Sequence, residues 1–80
     1  MISSQIIQSS LDELKTITKI DLGVYDLTGM IVATTMAQND VEANLIRSFA
    51  DSPADSQVIG RHHLLKILDE GEVLYILVAR

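Results

Sequence analysis

The apolar positions of this chain switch between helical and strand spacing, and each switch marks an element boundary. From Ser3 to Thr16, Ile7, Leu11 and Leu14 recur at i, i+4 and i+7, Ile6 widens the stripe, and Gln8, Ser9, Asp12, Glu13 and Lys15 lie around it. That spacing predicts an amphipathic helix. Ser3 or Ser4 is the candidate N-cap, and the β-branched run Thr16-Ile17-Thr18 should end it. In "KIDLGVYDLTGMIVATT", Ile20, Leu22 and Val24 alternate with Asp21, Gly23 and Tyr25. After "DLTG", Met30, Val32 and Thr34 alternate with Ile31, Ala33 and Thr35. Period two on both sides of a turn predicts a hairpin, with Asp26 bonding the turn backbone and Gly29 taking a positive φ.

Helical spacing returns in "MAQNDVEANLIRSFADSP". Val41, Leu45 and Phe49 fall at i, i+4 and i+8 beside Ile46, and Asn39 with Glu42 forms a capping-box pattern. Pro53 biases Ser52 away from helix, so this helix should end near Ala50. "RHHLLKIL" and "VLYILVAR" then read as a second hairpin around "DEGE", with Gly71 in its turn. Here alternation fails: Leu64, Leu65, Ile67 and Leu68 occupy both parities, as do residues 73–78. A strand apolar on both faces is buried on both. One helical layer covers a single face, so the other calls for a second subunit or a following segment. The run "VLYILVAR" at the end of the chain supports a domain belonging to a longer protein.

The predicted architecture is α+β, in the order α-β-β-α-β-β. Its largely antiparallel sheet with helices on one face is an outline that PAS/GAF-like and profilin-like folds share. Roadblock dimerisation domains share that outline, so fold does not select a function. Eighty residues make one domain, and a domain this small gains from disulfides, metals or a partner subunit. Having no cysteine, the chain has neither disulfides nor thiolate metal sites to draw on, which points to association. The lack of cysteine also suits a cytoplasmic setting. Net charge is −5 and the six lysines and arginines are scattered, which argues against nucleic-acid contact by this domain. No stretch has the length of a membrane span.

Candidate chemistry is sparse. No serine sits in a nucleophile elbow, and an enzyme is not expected. His62 and His63 are adjacent on a predicted strand. Their side chains should diverge to opposite faces, so they should not share a metal. Isolated glycines form no phosphate loop, and no cofactor is expected. The remaining candidate is "SPADSQ", a polar loop on an apolar floor, where Ser and Asp are also ordinary connector residues.

The segments "IIQSSLDELKTITKIDLGVYDLTGMIVATT", "FADSPADSQ" and "RHHLLKILDEGEVLYILVAR" together resemble the N-terminal sensory region of a family of bacterial transcriptional regulators. These are the regulators of the carbohydrate-diacid and purine-catabolism type, which carry a C-terminal helix-turn-helix. The resemblance spans nearly the whole chain. It implies a small-molecule-sensing domain that relays occupancy by a small organic acid or other metabolite to a downstream DNA-binding domain. Ser52, Asp55, Ser56 and Gln57 match the family's loop, and Arg61 and His63 the strand that follows it. Arg61 and Lys66 are the cations on offer for a carboxylate. The alternative is a roadblock-like homodimerisation module with no ligand of its own, in which Leu74, Ile76 and Val78 face the partner. On that reading, a charge at Ile76, as in Ile76→Asp, disrupts the assembly or unfolds it.

Overall fold

The structure is a computed structural model that describes residues 4–36 and 41–80. Its elements are α1 (Ser4–Thr18), β1 (Leu22–Tyr25), β2 (Ile31–Thr34), α2 (Ala43–Asp51), β3 (Ser56–Ile59), β4 (His62–Asp69) and β5 (Glu72–Ala79). The five strands form one antiparallel sheet in the order β2-β1-β5-β4-β3. The α+β class and both expected hairpins are present. One strand more than the sequence suggested is present too: the second half of the polar "loop" is β3, the edge strand beside β4.

α1 runs through the β-branched run that was expected to stop it. The hydroxyls of Thr16 and Thr18 donate to the Asp12 and Leu14 carbonyls (2.9 and 2.7 Å), which settles both side chains inside the helix. The chain leaves it at Lys19, in the left-handed region at φ 63°, whose N–H donates to the Lys15 carbonyl at 2.8 Å. α2 begins at Ala43 with Glu42 itself as N-cap and no side-chain capping bond. The expected caps Ser3 and Asn39 lie outside the described residues. The far end of α2 matches expectation, with Ser52 extended at φ −77°, ψ 157° ahead of Pro53.

The two helices do not share a face. In β5, Ile76 and Val78 join Tyr25, Leu64, Ile46 and Phe49 in one apolar cluster beneath α2. Tyr75, Leu77 and Ala79, of opposite parity, join Leu22, Val24, Ala33, Ile7 and Leu11 in a second cluster beneath α1. The expectation of a single helical layer is therefore corrected. Strands apolar on both faces are sandwiched by the chain's own helices, at least in part. Full burial of Phe49, Ile46, Leu64, Ile76 and Val78 contributes about 1.5–3 kcal/mol for each side chain.

Coverage on the α1 side is incomplete. α1 lies over β1 and β2, and Gln8 fastens it to the outer edge of β2. The Gln8 amide donates to the Thr34 carbonyl at 2.8 Å and accepts from the Thr34 N–H at 3.1 Å. Beyond α1 the sheet keeps Leu65 (43%) and Val58 (60%) exposed, next to half-buried Ile67, Tyr75 and Leu77. Ile6, Leu14 and Ile17 are exposed on α1 itself.

Asp26 behaves as the sequence predicts. Its carboxylate accepts from the Thr28 hydroxyl (2.6 Å) and from the Thr28 and Met30 N–H groups (2.9 and 3.1 Å). The Thr28 hydroxyl, with support from those backbone donors, holds the Asp26 carboxyl below the usual aspartate value. A depressed folded-state pKa means that the contribution to stability is complete above the unfolded value and is lost as pH falls through the folded one. Acid titration of unfolding should therefore show stability dropping below pH about 4. Asp26→Asn should flatten that drop, and an unchanged slope in the variant would exclude Asp26 as a source.

Candidate functional site

The segment Ser52–Arg61 is built around Lys66. At the C-terminus of α2, the Ser52 N–H and hydroxyl both donate to the Phe49 carbonyl (3.1 and 2.8 Å). Lys66 on β4 points to the same place: its ammonium donates to the Ser52 carbonyl and sits 5.3 Å from the centre of the Phe49 ring. A cation at a helix C-terminus satisfies an orphan carbonyl and the negative end of the dipole together. The Lys66 N–H also donates to the Asp55 carbonyl at 3.1 Å. One of the two cations expected for a carboxylate ligand thus stabilises the helix end instead.

The rim residues do not converge. Pairing of Ser56 with Leu65 and Val58 with His63 places Ser56 and His63 on the α1 side, by cross-strand geometry. Gln57 pairs with Leu64, whose side chain lies in the α2 cluster, so Gln57 faces the opposite way. Arg61 lies in the β3–β4 turn, separated from Asp55 by the length of a strand, about 20 Å at 3.3 Å per residue. Asp55, Ser56, Gln57, Arg61 and His63 are all exposed. His62 and His63 diverge as expected, His62 half-buried and His63 exposed.

The residues proposed for a dimer contact separate as well. Ile76 and Val78 have no exposed surface, because α2 covers them. Leu74, skipped by the register between the Ile67–Tyr75 and Leu68–Val73 pairs, remains 40% exposed. Ile76 and Val78 therefore do not face a partner as expected; in the central part of β5 it is Tyr75, Leu77 and Ala79, on the α1 side, that are only half-buried.

Sequence reasoning missed an open cleft of about 560 Å³ between the C-terminal half of α1 and the end of β2. It is lined by Asp12, Lys15, Thr16, Lys19, Thr34, Thr35 and Met36. Its charge is partly internal. Lys15 forms an ion pair with Asp21, and that hydrogen bond, aided by one from the Thr35 hydroxyl, lowers the Asp21 pKa. What is left facing a ligand is Lys19, the Asp12 carboxylate and the hydroxyls of Thr16, Thr34 and Thr35, a lining of mixed charge. The signal for this cleft was the cluster of Thr and Lys where the first helix meets the hairpin. Among the described residues no three His, Asp or Glu side chains are grouped to hold a metal ion. None of their helices is long and apolar enough to cross a membrane. No family model, curated protein or solved structure matches the chain.

Proposed function

We infer that this chain is a non-catalytic regulatory domain of a cytoplasmic bacterial transcriptional regulator, and that it acts by self-association. The regulatory assignment comes from the sequence resemblance. Self-association rests on one observation: the apolar band Val58, Leu65, Ile67, Tyr75 and Leu77, left bare beside α1. Monomeric domains of this size seldom leave such a band open to water. The band carries no formal charge, so two copies with a net charge of −5 each can approach on that side without apposing acidic side chains. Sedimentation equilibrium on the 80-residue chain should show concentration-dependent dimerisation in the micromolar range. A monomer at all concentrations up to millimolar would overturn this reading.

A second reading, sensing of a small organic acid or other metabolite, is favoured by the cleft at Lys19, Thr34 and Thr35 more than by the dispersed Ser52–Arg61 residues. A ligand that binds the folded state raises the melting temperature by mass action. A panel of organic acids and purines should contain a stabilising compound whose effect is lost in Lys19→Ala. No stabilisation across the panel would sink it.

A further inference from the structure

The two edges of the sheet are treated differently. In an antiparallel pair, alternate residues turn their N–H and C=O groups toward the partner strand. The Thr35 N–H donates to the Leu22 carbonyl at 2.8 Å, so in β2 it is Thr34 whose backbone groups point outward. Gln8 occupies both of them, as a neighbouring strand would. At the other edge, the bond from the Lys66 N–H to the Asp55 carbonyl and the pairing of Gln57 with Leu64 and Ile59 with His62 commit residues 55, 57 and 59 to β4. Ser56 and Val58 therefore present their N–H and C=O groups to the open side, and no described side chain donates to or accepts from them. β3 is exposed and uncharged, and Val58 on it is 60% exposed.

We propose that β3 pairs antiparallel with β3 of a second copy across a two-fold axis at Val58, joining two sheets into one. This builds on the self-association reading and specifies its contact. The argument for a second copy is self-complementarity. Centring the axis on Val58 sets each Val58 against its counterpart as a hydrogen-bonded pair, each N–H donating to the other's carbonyl, with Cα atoms about 5.5 Å apart. The same register sets Gln57 opposite Ile59 of the second copy. Because Asp55 immediately precedes β3 and Arg61 lies in the turn after it, each end of the paired strands brings an acidic residue of one copy near the basic residue of the other. The Val58 side chains meet on the α1 side, continuing the bare apolar band of one protomer into that of the other. A β3 edge with neither a covering side chain nor a charge of its own lacks the usual protections against such pairing.

The test is amide hydrogen exchange on the 80-residue chain, read with sedimentation equilibrium at matched concentrations. The Val58 N–H should exchange fast in the monomer and slow at least tenfold as dimer forms, while the Gln57 N–H, already bonded to β4, should change far less. Val58→Pro removes the outward N–H and leaves the β4 pairing intact, so dimer dissociation should strengthen by about tenfold for the lost reciprocal pair. If that variant fails to fold, charge exchange decides: Asp55→Arg and Arg61→Asp should each weaken the dimer several-fold, and the double exchange should restore it. A dimer in which the Val58 amide stays fast, or which Val58→Pro or the single exchanges leave unchanged in folded protein, overturns the β3 contact and leaves self-association standing. A wild-type chain that never dimerises overturns both.

Discussion

Ile76→Asp should abolish folding at neutral pH, and not merely assembly. Ile76 has no exposed surface and packs with Tyr25, Phe49, Leu64 and Val78 beneath α2. A carboxyl placed there either ionises without a partner or stays protonated at the expense of a pKa shift of about 3–5 units, which is roughly 4–7 kcal/mol. Lost packing of the isoleucine adds about 2–5 kcal/mol. The whole stability of a domain this size is on the order of 4–12 kcal/mol. The folded state therefore loses on either route. Leu74→Asp is the control: at 40% exposure it should cost under about 1 kcal/mol. Circular dichroism with urea titration separates the two. The deficit of Ile76→Asp should shrink as pH falls toward about 3, where the carboxyl is protonated in both states. A folded, monomeric Ile76→Asp at neutral pH would show that α2 does not cover this position.

The sequence offered Ile76 as an outward position, and the structure buries it, for a reason that bears on what is legible in a chain. Local chemistry was readable. Asp26 and Gly29 predicted their turn, Pro53 predicted the end of α2, and the alternation around Leu22 and Val24 predicted β1. The side of the sheet on which each helix lies was not readable. It depends on which parity of β5 meets Phe49 and which meets Leu11, and both parities are apolar in "VLYILVAR". β3 was hidden because "SQVI" does not alternate and begins inside a polar connector. Its one clue, Gly60 at φ 60° opening a two-residue turn before His62, resembles any loop glycine. The candidate ligand residues failed to converge for the same reason. Neighbours in sequence on a strand point to opposite faces, and Ser56 and Gln57 were grouped as though they lay on a loop.

Gly29→Ala should be the most damaging change at any glycine of the chain, at about 2–5 kcal/mol. Two effects combine there. Gly29 lies at φ 94°, where a residue with a Cβ is strained by about 1–2 kcal/mol. The added Cβ would also come within 2.7 Å of the Ala43 Cβ and 2.8 Å of its Cα and carbonyl oxygen, a clash of about 1–3 kcal/mol. Those contacts are with the first residue of α2, so the hairpin tip must lift from the helix or the helix must shift. Arg47 of α2, which donates to the Thr28 carbonyl at 3.4 Å, would move with it. Gly71 separates the two effects: it has a similar φ of 83° but nothing within 4 Å of a built Cβ, so Gly71→Ala should cost only the strain. The difference between the two variants in urea midpoint measures how tightly the first hairpin is keyed to α2. Ala43→Gly in the Gly29→Ala background should recover part of the loss, since it removes the Cβ contact and leaves those with Cα and the carbonyl oxygen. Equal losses at Gly29 and Gly71, or no coupling between positions 29 and 43, would mean that the hairpin tip and α2 move independently.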